Sequence, residues 1–216
     1  MFGDQHNDRY FVELAASFVR GKLAEAADLS DEEAVEAGRR AGLRLHKFKR
    51  NAELPRVRRA LGILHSIAPS TLLDVGSGRG TFLWPLLDQF PSLPVTSIDS
   101  KPVRATDINA VKRGGIDRLA ALMMDATSLG FKEEAFDTVT ILEVLEHLER
   151  PDLAIAEAIR VAQRFVLASM PSKEDDNPEH IHLFDKPRVL DAFNKGGAKK
   201  VVIEYVPNHM MVLATV

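Results

Sequence analysis

The sequence predicts an α/β fold built on a mostly parallel sheet, and three observations carry that reading. Short apolar runs end in, or just before, an acid or a glycine-rich turn, as Leu72, Leu73 and Val75 do around Asp74 and ahead of Gly76. Stretches with apolar residues at helical spacing separate those runs. Two β-rich runs close the chain, Lys200 to Val206 and His209 to Thr215, joined by Pro207-Asn208. That junction predicts a hairpin, and hence an antiparallel edge on the sheet.

In chain order, Asp8 to Ala27 carries Tyr10, Phe11, Leu14, Phe18 and Val19 as the apolar stripe of a first helix. Ser30-Asp-Glu-Glu33 is a capping box, and Ala34, Ala37, Ala41, Leu45 and Phe48 follow on one face of a second helix. Pro55 opens a third with Val57, Leu61 and Leu64. Residues 1–53 are therefore expected to form an N-terminal helical appendage, or lid, on a cofactor-binding domain of residues 54–216. Arg39, Arg40, Arg44, Lys47, Lys49, Arg50, Arg56, Arg58 and Arg59 are opposed in their interval only by Glu53. The segment reads either as a solvated surface facing the acids of 28–36 or as a site for an anion: a cofactor carboxylate, a phosphorylated small molecule or a nucleic-acid backbone.

The most informative stretch is Thr71 to Phe82. A buried strand runs into Asp74-x-Gly76-x-Gly78-x-Gly80, and Leu83, Leu86 and Leu87 then continue as a helix that tolerates Pro85 in its first turn and stops at Pro91. Glycines there let a ligand lie against the backbone, and the following helix N-terminus favours a polar or anionic group. A dinucleotide fingerprint needs glycine at position 81, which is Thr81. Val95 to Asp99 reads as a second strand whose acid stands 19 residues beyond Gly80, near the usual distance of about 20 to a ribose-binding carboxylate. Ser100 to Arg113 reads as a helix closed by Gly114-Gly115, Leu122 to Asp125 as a third strand end, Phe136 to Leu142 as a fourth strand and Arg164 to Met170 as a fifth. A helix from Lys186 to Phe193 precedes the hairpin.

This succession from about residue 54 onward resembles the class I S-adenosylmethionine-dependent methyltransferases. The resemblance implies a Rossmann-like, seven-stranded plan and S-adenosylmethionine as cofactor. It implies contact with Asp74, Gly76, Ser77, Gly78, Gly80, Asp99, Ser100, Asp125, Ala126 and Glu143. Asp99 would accept from the ribose hydroxyls and Asp125 from the adenine amino group, roles that suit a carboxylate because it only accepts.

Methyl transfer is an in-line displacement that needs positioning and, for a weak nucleophile, a base. Glu143-Val-Leu-Glu146-His147 after the fourth strand, and His180 and His182 after the fifth, are the candidates, with His147, His180 and Glu146 assigned catalysis. If helical, Glu143, Glu146 and His147 share one face. With His180 they also resemble the divalent-metal site of small-RNA 3′-terminal 2′-O-methyltransferases. The base reading is preferred and no metal is assigned. Three functions follow: a small-molecule methyltransferase, which leads; a metal-dependent RNA 2′-O-methyltransferase using the 39–59 segment; and a non-catalytic cofactor-binding protein acting through a partner.

Composition narrows the classes. A net charge of −3 over 216 residues gives no global attraction to nucleic acid. The absence of cysteine excludes disulfides, thiolate metal sites and cysteine nucleophiles, and suits a reducing cytoplasm. No apolar run reaches the roughly 18 residues of a membrane span, and Met1 to His6 does not read as a signal peptide.

Overall fold

The computed structural model describes residues 11–50, 54–174 and 176–216. Tyr10, Glu53 and the expected helix start at Asp8 lie outside the described residues. Five parallel strands, β1 (Leu72–Val75), β2 (Val95–Asp99), β3 (Leu119–Met123), β4 (Phe136–Leu142) and β5 (Ala162–Pro171), are joined by helices. The hairpin of β6 (Lys200–Val206) and β7 (His209–Thr215) completes a seven-stranded sheet in the order β3-β2-β1-β4-β5-β7-β6. As expected, β7 runs antiparallel to both β5 and β6. Strand order reverses between β1 and β4, and such a switch point opens a crevice at the C-terminal strand ends.

Helices cover both faces. On one side lie α1 (Val12–Arg20), α2 (Asp31–Arg40), α3 (Pro55–Ile67), α4 (Leu83–Gln89) and α5 (Pro102–Arg113). Their side chains share one core with the sheet, from Phe11 to Met211. On the other lie α6 (Pro151–Val161) and α7 (Lys186–Lys195), packed over Val139, Ile141, Val166 and Val212. The Ser30 capping box forms: Ser30 Oγ accepts from the Glu33 N–H, and the Glu33 carboxylate accepts from the Ser30 N–H at 3.0 Å.

The N-terminal helices depart from the expected pattern in two places. The first is shorter than Asp8 to Ala27, ending at Arg20, with a separate 3-10 turn at Ala24–Ala26. The second ends at Arg40 because Gly42 takes φ +73°, so Leu45 and Phe48 belong to a later 3-10 turn and not to its face. Phe48 is nevertheless fully buried, stacked between Phe18 and Trp84 at centroid distances of 5.3 and 4.8 Å. The α1 and α5 ends meet backbone to backbone. A Cβ at Gly21 would stand 1.9 Å from the Ala110 carbonyl oxygen, and one at Gly114 would stand 1.8 Å from that of Ser17. Lys22 and Lys47 both pair with Asp107 of α5.

Candidate active site

The turn after β1 is shaped by its own acid. Asp74 is opposite Ser97 on β2 and Thr140 on β4. Its carboxylate, 2% exposed, accepts from Ser77 Oγ and from Thr140 Oγ1 at 2.8 Å. Burial pushes this carboxyl up to about 6, against the two hydroxyl donors. Asp74 thus ties the turn to two strands, and Ser77 is drawn inward with it. Gly76, Gly78 and Gly80 all have positive φ, and two of them show what the space is for. A Cβ at Gly80 would enter the Trp84 indole at 2.1 Å. A Cβ at Gly78 would meet nothing closer than 3.8 Å, so it would project into open space that a ligand could use.

That space is a crevice of about 650 Å³ lined by Gly76, Gly78, Asp99, Ser100, Asp125, Ala126 and Glu143, among others. Asp99, at the end of β2, is 4% exposed. One of its oxygens accepts from the Gly78 N–H and from Arg104, at 3.0 and 3.1 Å, and the other accepts from the Lys101 N–H at 2.9 Å. Asp125, beyond β3, is exposed, and both Thr127 donors fall on a single oxygen, holding its carboxyl below the ordinary range. Both acids therefore lie along one wall, as the strand-end argument expects.

Gly76, Gly78 and Glu143 also line a second cavity of about 150 Å³, with Arg56, Thr81, Phe82 and Ser169. At this junction the helical condition that would align Glu143, Glu146 and His147 is not met. Glu143 takes φ +58°, and only Leu145–His147 forms a 3-10 turn, so Glu143 does not share a face with Glu146 and His147. Glu143 instead accepts from Ser169 Oγ at 2.7 Å, meets His209 Nε2 at 2.9 Å and pairs with Arg56 at 3.4 Å. Burial opposes its charge, but His209, Ser169 and Arg56 outweigh burial and hold the carboxyl below its ordinary range. Ser169 and His209 were not among the sequence candidates.

Glu146, His147 and His180 do converge, with ligand-type atoms all within 4.8 Å of one another. The His147 and His180 rings meet edge-on with centroids 4.8 Å apart. His147 Nδ1 lies 2.9 Å from the Glu179 carbonyl oxygen, which only accepts, so Nδ1 carries the proton and Nε2 offers a lone pair. His147 and Glu179 edge the larger crevice. His182 turns aside, its Nδ1 accepting from Arg188 at 3.3 Å.

Glu146 is 0% exposed and neither carboxylate oxygen has a hydrogen-bond partner. Burial, aided by the nearby charge of Glu143, pushes it up to about 8. Because the folded value lies above the unfolded 4.5, its contribution to stability is complete below that pH and is lost as pH rises towards 8. Glu146→Gln is therefore expected to melt higher than wild type by about 5 °C or more at pH 8.5, relative to their difference at pH 5, in scanning calorimetry. An identical difference at both pH values would mean that Glu146 ionises without penalty.

The strand order, the glycine turn at its switch point and the acids on adjacent strand ends define the class I methyltransferase fold. Comparison with known proteins agrees: residues 73–164 match the family described as "Methyltransferase domain". The chain is 33% identical over 95 residues to the malonyl-[acyl-carrier protein] O-methyltransferase of Geobacter sulfurreducens, across 44% of this chain and 35% of that protein. It is 31% identical over 114 residues to the tRNA U34 carboxymethyltransferase of Shewanella frigidimarina, across 50% of this chain and 33% of that protein. These matches span about a third of either relative. A SAM-dependent methyltransferase structure from Aquifex aeolicus superposes with a TM-score of 0.57 at 19% identity, covering 76% of this chain and 92% of that one. Residues 73–164 thus resemble a methyltransferase domain, set within a fold of the class I kind.

Proposed function

We propose that the protein transfers a methyl group from S-adenosylmethionine to a small-molecule acceptor. The observation that carries this reading is the continuous crevice along the ends of β1 to β4, where the Gly76–Gly80 turn, Asp99 and Asp125 line one side and Glu143 joins it to a second cavity. Its donor and acceptor pattern fits the cofactor. Asp99 and Asp125 are acceptors for hydroxyl and amino groups, Gly78 leaves room for close approach, and Arg56 with the turn suits a carboxylate. When bound, S-adenosylmethionine supplies a sulfonium methyl that an acceptor displaces in line.

The chain's own residues then have separable duties. Asp99 and Asp125 hold the nucleoside end, and Glu143 faces the junction of the two cavities. Glu146 keeps its proton at neutral pH and so does not serve as a base. His147, with Nε2 open, takes the acceptor's proton, and His180 packs against it.

The acceptor follows less from kinship, since the relatives compared above are named for a carrier-bound malonyl group and for a tRNA base, and others for demethylmenaquinone. Charge supports a small acceptor: Lys47, Arg50, Arg56 and Arg59 are answered by Asp107, Asp88, Glu143 and Glu204, so much of the basic segment is neutralised within the chain. The metal-dependent RNA reading also needs Glu143 as a ligand, and Ser169, His209 and Arg56 already engage it. Among the described residues no helix is long and apolar enough to cross a membrane.

Titration calorimetry with S-adenosylhomocysteine, S-adenosylmethionine and NAD tests the cofactor, and turnover against small-molecule and RNA panels tests the acceptor. Tighter binding of NAD would reject the reading. RNA binding that weakens steeply with salt, together with RNA methylation, would replace the small acceptor.

A further inference from the structure

We infer that His209 is a positioning residue: its ring, protonated on both nitrogens, holds Glu143 as an oriented carboxylate at the junction of the two cavities. His209 is the first residue of β7, directly after the hairpin at Pro207-Asn208, and sits opposite Pro171 of β5. Its Nε2 is 2.9 Å from Glu143 Oε2, and its Nδ1 is 3.0 Å from the Pro207 carbonyl oxygen. A carbonyl oxygen only accepts, and so does an ionised carboxylate. Each ring nitrogen must therefore carry a proton for both contacts to be attractive. A neutral ring would turn one lone pair towards an acceptor.

The charged groups facing this pair come from three elements. Glu143, just beyond β4, favours the imidazolium. Arg56 of α3, whose Nε is 3.4 Å from the same carboxylate oxygen, opposes it. Glu146 lies on the turn after Glu143 and is kept neutral by burial. The balance falls to Glu143: its hydrogen bond, against the cost of burial, raises His209 above the ordinary histidine range.

Glu143 needs such support. A non-glycine residue at φ +58° persists where its surroundings over-determine it. Here Ser169 of β5 fixes Oε1, while His209 and Arg56 fix Oε2. The hairpin thus reaches across β5 to set a residue just beyond β4. Given the proposed methyltransferase function, that residue is the anion where the cofactor crevice meets the second cavity, within reach of the cofactor.

The test has one arm that needs no ligand. In the whole chain, histidine ring nuclear magnetic resonance, with the His209 signal assigned by its loss in His209→Gln, should show a His209 midpoint above the ordinary 6.5, with both nitrogens protonated below it. Glu143→Gln should lower the His209 midpoint by about one unit or more. A ring that is singly protonated at pH 6, or a midpoint unmoved in Glu143→Gln, overturns the pairing. The second arm measures S-adenosylhomocysteine affinity from pH 6 to 9. Wild type should weaken as pH rises through the His209 midpoint, and His209→Gln should be weaker by roughly three- to tenfold at pH 7 and lack that inflection. Wild-type affinity without the inflection, matched by the variant, overturns the positioning role. If wild type does not bind S-adenosylhomocysteine, the methyltransferase reading fails, and the resonance arm still decides whether His209 holds Glu143.

Discussion

His147→Ala is expected to lower turnover by about 10²–10⁴-fold, the usual contribution of a positioned general base. The argument rests on the tautomer. The Glu179 carbonyl fixes the proton on Nδ1, which leaves Nε2 as the one lone pair of that ring at the crevice edge. Glu146 cannot substitute at neutral pH because burial keeps it protonated. Affinity for S-adenosylhomocysteine should stay within about twofold, since His147 faces the acceptor and not the nucleoside wall. His180→Ala should lose less, its ring packing edge-on against His147. The decisive measurement is single-turnover kinetics with the acceptor found by panel screening. Turnover unchanged in His147→Ala would assign the proton to solvent or show that the acceptor needs no base.

The second large effect is expected at the other end of the crevice. Asp99→Ala removes the acceptor of the ribose hydroxyls, and bonds to a charged group are each worth about 1.5–3 kcal/mol, roughly ten- to a hundredfold in affinity. Three internal donors, the Gly78 and Lys101 N–H groups and Arg104, lose their partner at the same time. Part of the loss will thus come from a loosened glycine turn. Asp99→Asn separates the two contributions, because it keeps an acceptor oxygen and the side-chain shape while removing the charge. Calorimetry that finds Asp99→Ala binding as tightly as wild type would falsify the ribose assignment.

These two ends differed in how far the sequence disclosed them. The nucleoside wall follows from one-dimensional signals, because its acids stand at or just past the ends of apolar strands and parallel strands all present that end to one side. Asp99 and Asp125 lie on that wall, while Asp74, inside β1, turns inward to Ser77 and Thr140. The junction of the two cavities is made by contacts that no spacing encodes. Glu143 adopts a left-handed backbone that non-glycine residues rarely take, so the face that Glu-x-x-Glu-His would share if helical does not form, and a kink followed by a single 3-10 turn stands there. Ser169 lies within an apolar strand and His209 begins the strand next to the sheet edge; neither position looks unusual until β4, β5 and β7 are set side by side. The basic segment was only partly legible for a related reason. Arg39 meets the nearby Glu36, but the partners of Lys47, Arg50, Arg56 and Arg59 lie far along the chain, at Asp107, Asp88, Glu143 and Glu204, beyond any window of local charge counting.

The reciprocal contact of Gly21 with Ala110 and of Gly114 with Ser17 bears on how the crevice can open. With no side chain between the two backbones there is no compressible layer, and any sliding would drive carbonyl oxygens into the opposing chain. The ends of α1 and α5 therefore behave as a bolted joint, braced by Lys22 and Lys47 on Asp107. Because Lys47 lies beyond Gly42, in the 3-10 turn that carries the buried Phe48, that turn is tied to the same joint. α1 therefore travels as a fixed outrigger of the helix that follows Asp99.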